Sequence, residues 1–193
     1  MKHNQTCNKG FTLLELVTVI AIVSILFFFA AERLLKLEVE AERVSTLQVI
    51  GILKSALAIE ISAHIARGDI KGLNKFILTN PMDRLSETPH NYLGVLDKPN
   101  INTISKGQWY FDQSDRTLVY KVKNGEYFQT SLNKPAQIKL QIMPVFDDMN
   151  QNGRFDDRDR LKGLRIQSLE HYQWLADPIE VSQFVEDNKT RHK

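Results

Sequence analysis

Cysteine is almost absent: the 193 residues hold one, Cys7, ahead of Phe11. The chain from Phe11 onward can therefore form no internal disulfide in any compartment, and its fold needs other ties. Charge of one sign is equally scarce, because 25 basic residues face 23 acidic ones for a net +2. Lys2 and Lys9 account for that excess, so from Phe11 onward the two signs balance at 23 each. A balanced chain offers no basic surface to displace counterions, and no nucleic-acid partner is expected. Repeats and low-complexity tracts are missing, and a composition 42% hydrophobic and 25% charged excludes wholesale disorder. His64, His90 and His171 stand isolated, with no His-Glu-x-x-His and no serine-centred elbow, so an enzyme is not expected.

What is present begins with Phe11 to Ala31, 21 residues with one ionisable group, Glu15. As a helix rising about 1.5 Å per residue this run spans roughly 31 Å, enough for a bilayer core of about 30 Å. It is too long for an ordinary secretory signal and lacks the small-residue cleavage site after it. Lys2 and Lys9 on its leading flank put the N-terminus in the cytoplasm and the bulk of the chain in the periplasm. An ionised carboxylate near the membrane centre costs about 2.5 to 3.5 kcal/mol, so Glu15 needs a reason. Either it snorkels to the near face or it pairs with a cation that the run does not supply. A cut between Gly10 and Phe11 would create one: a new α-amine, which on one subunit could face the Glu15 of its neighbour.

The stretch Lys9-Gly10-Phe11-Thr12-Leu13-Leu14-Glu15-Leu16 resembles the prepilin peptidase signature of type IV pilins and type II secretion pseudopilins. The resemblance covers about the first thirty residues. It implies a leader over 1–10, cleavage after Gly10, N-methylation of Phe11, and a role for Glu15 in recruiting and registering subunits. The partners it implies are other pilin or pseudopilin subunits, prepilin peptidase, the inner-membrane assembly platform and the lipid bilayer. Many type IV pilins close their C-terminal region with a disulfide, which this chain cannot do.

Beyond the apolar half at 11–31, positions Leu37, Ala41, Val44, Leu47, Ile50, Leu53, Leu57, Ile61 and Ile65 recur at spacings of three or four and predict one amphipathic stripe over 32–67. Without a proline before Pro81 and with Arg67-Gly68 as a stop, one helix is expected from Phe11 to Arg67. Gly51 is its weak point. Asp69 is placed to cap a short helix over Ile70 to Leu78. Prolines then exclude regular helix from the connecting loop, the whole joining segment running from 68 to 106. From 107 the period becomes two, and an antiparallel meander is expected from strands at 108–111, 117–123, 126–131 and 137–146, with later ones at 162–168 and 179–185. The hairpin Trp109-Tyr110-Phe111-Asp112 with Leu118-Val119-Tyr120 resembles sheet segments of the mannose-sensitive haemagglutinin pilus type. The fold class is α+β and pilin-like: a long N-terminal helix on a C-terminal antiparallel sheet occupying 107–193.

Residues 148–159 carry the one chemical constellation. Asp148, Asn150, Asn152, Asp156 and Asp159 fall at loop positions 1, 3, 5, 9 and 12, Gly153 at 6 allows a sharp turn, and Arg154 at 7 offers its carbonyl. This spacing suits calcium, a hard cation that takes six to eight oxygens at about 2.3 to 2.6 Å. Asp159 stands where a bidentate Glu is usual, as in dockerin loops, and Phe155 should turn into the core. The alternative is a solvated acidic turn. For the chain as a whole, the alternative to a filament subunit is a single-pass membrane anchor carrying a calcium-dependent adhesin or a binding module.

Overall fold

The structure is a computed structural model that describes residues 11–132 and 135–175. Gly10 and the rest of the expected leader, the expected strand at 179–185 and the polar tail lie outside the described residues. Two compact units divide the chain, one ending at Glu40 and one starting at Ala41.

The helix α1 runs from Leu13 to Ala66, 54 residues without a break, close to the expected limits. Its N-terminal part is apolar with a mean hydropathy of 2.7 across its best 18 residues, none of them buried. It is the one described helix long and apolar enough to cross a membrane. At the far end Gly68 takes φ +68°, the Gly68 amide donates to the Ile65 carbonyl, and Asp69 N donates to His64 O, so the left-handed glycine ends the helix as Arg67-Gly68 predicts. Asp69 then caps a 3-10 helix over Ile70–Phe76 by accepting from Gly72 N, and buries Leu73 and Phe76. The expected α-helix to Leu78 is thus a tighter and shorter turn.

In the second unit the expected stripe divides. Ile50, Leu53 and Leu57 are buried, but Val44, Leu47 and Ile65 are about half exposed. The reason is rotational. From Ala41 to Leu53 the apolar residues step by three, and each such step turns about 60° backwards on a helix of 3.6 residues per turn. The row therefore crosses from the outer face to the inner one. Between Ala41 and Gln48 the inward positions are instead Glu42 and Thr46, both buried.

Five strands build the main sheet in the order β1-β2-β3-β5-β6: β1 (Tyr92–Leu96), β2 (Trp109–Asp112), β3 (Thr117–Lys121), β5 (Gln137–Asp147) and β6 (Arg160–Ser168). A separate two-stranded sheet pairs β4 (Phe128–Thr130) with β7 (Tyr172–Trp174). The simple meander is corrected in two respects. β1, inside the expected loop, lies parallel to β2, and β3 pairs directly with β5 because β4 leaves for the second sheet. Pro144 is tolerated in β5 because β3 pairs with that strand only through Leu140, which leaves one side of the proline free of a ladder.

The core lies between α1 and one sheet face, where Leu53 and Leu57 meet Trp109, Leu118, Ile138 and Ile142. Each such aliphatic side chain contributes about 1.5 to 3 kcal/mol by leaving water. β3 is buried on both faces. Its far side packs Val119 with Tyr110 and Ile104 under the loop that follows β1. There the buried Lys121 ammonium donates to the carbonyls of Ile101 and Ile104, which satisfies a charge that would otherwise be costly to desolvate.

Candidate functional site

The N-terminal site starts at Phe11, which is 75% exposed. Thr12 precedes the helix as its cap: Glu15 N donates to Thr12 Oγ1 at 3.2 Å and Leu16 N to Thr12 O at 3.1 Å. Thr12-x-x-Glu15 is the capping-box pattern, in which the hydroxyl at the cap and an acid three residues on satisfy free amides of the first turn. Glu15 therefore sits at the positive end of the helix dipole, which favours an anion there by about 0.3 to 1 kcal/mol. That offsets part of its cost in the membrane. The cap was readable from Thr12 and Glu15 together, yet it was the membrane cost of a carboxylate and the cleavage signature that drew attention to Glu15.

The second site is the loop between β5 and β6. It is a strand-loop-strand, closed at its base by Lys162 Nζ and Asp147 Oδ1 at 2.6 Å. Asp148 accepts from Asn152 N at 3.2 Å and Gly153 N at 2.7 Å. Asn150 Oδ1 accepts from Asn152 N, and Asn152 Oδ1 accepts from Arg154 N. Asp159 takes Met149 N and Asp156 N, one on each oxygen. Gly153 at φ +73° provides the bend. Phe155 turns inward against Phe146, centroids 5.2 Å apart.

Backbone amides of the loop thus hold the side chains at positions 1, 3, 5 and 12, and side-chain amides tie positions 3 and 5 to position 9. Asn150 Nδ2 and Asn152 Nδ2 both donate to Asp156 Oδ2, at 2.8 and 2.9 Å. The Arg158 amide first, with these two side-chain amides, holds the Asp156 carboxyl below its ordinary pKa, so it stays ionised. Asp148, Asp156 and Asp159 do not converge as a ready set, and among the described residues no group of three or more His, Cys, Asp or Glu side chains does. A cation here would draw on the amide oxygens of Asn150 and Asn152 and on the Arg154 carbonyl as well as on the carboxylates. The donor chemistry, all oxygen from short side chains, fits a hard cation.

A third cluster carried no sequence signal beyond an acid on the inner face of a helix. Glu42 Oε1 accepts from the Tyr120 hydroxyl at 2.9 Å and from Lys123 N at 2.6 Å, and Oε2 accepts from Asn124 N at 3.0 Å and Asn124 Nδ2 at 2.7 Å.

Comparison with known proteins bears on the first of these sites. Residues 6–31 match the family model of the prokaryotic N-terminal methylation motif. That motif is the signature of type IV pilins and pseudopilins, and its match covers the N-terminal segment alone, taking in Gly10, Phe11 and Glu15. No curated protein and no solved structure matches the chain.

Proposed function

We propose that this chain is a minor pilin or pseudopilin, a structural subunit that is processed after Gly10 and assembles from the inner membrane into a type IV pilus or a type II secretion pseudopilus. The Trp109 hairpin favours the pilus, of the mannose-sensitive haemagglutinin type. One observation carries the reading. Among the described residues nothing covers the apolar surface of α1, from Leu13 at 81% exposure through Phe27 at 73%, and again on the outer face at Ile52 and Ile59. Lipid covers the first part while the subunit is stored, and like helices of neighbouring subunits cover both after assembly. Transfer from lipid to a helix bundle gives little hydrophobic gain, so pairing of a neighbour's Phe11 amine with Glu15 supplies direction and register.

Two measurements test it. A Gly10 substitution leaves an uncut precursor on a gel, and mass spectrometry of the native protein finds N-methylated Phe11. Glu15→Ala is still cleaved and inserted but is poorly represented in sheared filaments. Normal incorporation of Glu15→Ala, or a leader that stays attached, would instead favour the single-pass adhesin.

Calcium belongs to the same proposal. Asp148, Asn150, Asn152, Asp156 and Asp159, with the carbonyl of Arg154, would hold the ion, whose charge ties the ends of β5 and β6 in a fold without disulfides. Titration calorimetry on the full chain in detergent after EGTA treatment should give a heat of binding and a raised melting temperature. No heat and no shift would remove the site.

A further inference from the structure

Among the described residues β6 is the last strand of the main sheet, and its outer edge is open. In an antiparallel ladder alternate residues turn both amide and carbonyl to the same neighbour. Leu169 N donates to Lys139 O, whereas the carbonyl of Ile142, the partner of Ile166, turns the other way and accepts from Leu78 N. Arg165 and Gln167 therefore bond to β5, and Leu164, Ile166 and Ser168 turn their amides outward. Nothing among the described residues accepts from these three amides, although Leu164 and Ile166 are each 7% exposed. A buried amide left unpaired is costly, and an unpaired edge invites a further strand. The same strand and α1 enclose a groove of about 300 Å³, lined by Leu57, Ile61, Leu164 and Ile166 together with the exposed cations Lys54 and Arg165.

We propose that residues 179–185 of the same chain dock on this edge as a further antiparallel strand, with Ile179, Val181 and Val185 over the groove and Glu180 beside Arg165. The pattern fits. Ile179, Val181 and Val185 alternate with Glu180, Ser182 and Phe184, and Pro178, which has no amide to give a ladder, falls just before them. Charge fits as well: between 176 and 187 there are Asp177, Glu180, Glu186 and Asp187 and no Lys or Arg, opposite Lys54 and Arg165. On β6, Arg165 stands exposed between the buried Leu164 and Ile166, so Glu180, flanked by Ile179 and Val181, shares its face. Direction follows from where the described chain stops. Leu175 N donates to Tyr127 O, and Gly125 of the same turn lies against Ala136 at the head of β5. β6 finishes at that end of the sheet, where Ser168 faces Leu140. A chain leaving Leu175 thus starts at the finish of β6 and runs back along it. Reach is ample, since residues 176–193 extend to roughly 60 Å at about 3.3 Å each, against roughly 30 Å for β6. An edge closed in this way cannot pair with the sheet of another subunit. The proposal does not depend on whether the chain enters a pilus or a secretion filament.

Native-state hydrogen exchange on the full chain in detergent micelles tests this, because the outward amides of β6 report the added strand and the inward ones do not. In the unaltered chain Leu164 and Ile166 should exchange within about threefold of Arg165 and Gln167, at a rate independent of protein concentration. Val181→Asp sets a charge over the apolar groove and should speed Leu164 and Ile166 at least tenfold while leaving Arg165 and Gln167 unchanged. A chain ending at Asp177 should show the same selective rise, and serves where Val181→Asp does not fold. Glu180→Lys should give a smaller rise, reversed when it is combined with Arg165→Glu. Leu164 and Ile166 exchanging tenfold or more faster than Arg165 in the unaltered chain overturns the proposal, as does a rise in the variants that is absent or spreads equally to the inward amides. Protection of Leu164 and Ile166 that is lost on dilution overturns it too, because the edge would then be covered by a second copy.

Discussion

Trp109 and Tyr120 are opposite one another on the β2–β3 ladder, and their rings lie 4.8 Å apart, tilted by 36°. The pair sits in the main core against α1, which is how a hairpin rich in aromatics is used here: as packing, not as an exposed platform. The tyrosine nevertheless keeps a polar handle, since its hydroxyl reaches Glu42.

This burial predicts sensitivity to alkali. Burial first, then the charges of Asp112 and Asp115, pushes the Tyr110 phenol up to about 12. Burial and then the Glu42 carboxylate push Tyr120 higher still. An unfolded tyrosine releases its proton near about 10. Above that pH the folded chain holds protons that the unfolded chain has lost, so stability falls as pH rises. The contribution is complete below about pH 10 and is lost progressively toward about 12 and beyond. Denaturant midpoints measured across this range should drop. In Glu42→Gln, Tyr120 should ionise at lower pH than in the unaltered chain, read by tyrosinate absorbance.

Thr12 carries the second prediction. Replacing a Thr cap by Ala costs about 1 kcal/mol of helix stability. Thr12→Ala should therefore speed exchange of the Glu15 amide several-fold in micelles, whereas Thr12→Ser keeps the hydroxyl and the protection. Prepilin peptidase should cleave both, since neither alters Gly10 or Phe11. Equal exchange in Thr12→Ala and the unaltered chain would show that the hydroxyl does not hold the first turn.

Lys121 is the third. Its ammonium holds the loop above Val119 through two carbonyls while it is itself 6% exposed. Lys121→Met fits the stem but leaves both carbonyls without a donor, and each buried group left unsatisfied costs about 1 to 3 kcal/mol. A loss of that order in unfolding free energy, with faster proteolysis between Asn100 and Lys106, is the expected outcome.

The long helix, its stop at Gly68, the cap at Asp69 and most strands were legible because each rests on local chemistry: periodicity, a left-handed glycine, a side chain reaching a nearby amide. Sheet order was not. β1 is short, is broken by Gly94 at φ +93° and alternates half-buried with exposed residues, so its sequence reads as loop. β7 has three residues and gains its place by pairing with β4 and by setting Tyr172 in a stack on Phe128 and Trp174 edge-on to it, contacts across more than forty residues of chain. The candidate sites divide in the same way. Glu15 and the loop at 148–159 were visible as contiguous motifs, whereas Glu42 was hidden because its partners lie 78 to 82 residues away.

Gly51 separates the stability of the subunit from its assembly. It lies within α1, is exposed, and a Cβ built on it meets nothing within 4 Å. Gly→Ala inside a helix gains about 1 kcal/mol where there is room, chiefly by restricting the unfolded chain. Gly51→Ala should accordingly raise the melting temperature of the isolated full chain in detergent by about 2 to 4 °C. A larger side chain has the same open space in the single subunit, so Gly51→Leu should fold at least as stably as the unaltered chain. In a bundle the outer face is covered, and the leucine would then hold a neighbouring helix away from Val44 and Ile52, which flank Gly51 with about half their surface exposed. Gly51→Leu should be cut by the peptidase and inserted at normal levels, yet fall several-fold in the sheared filament fraction. Normal incorporation of that variant would place the outer face of α1 against solvent or the cell envelope instead of against its neighbours.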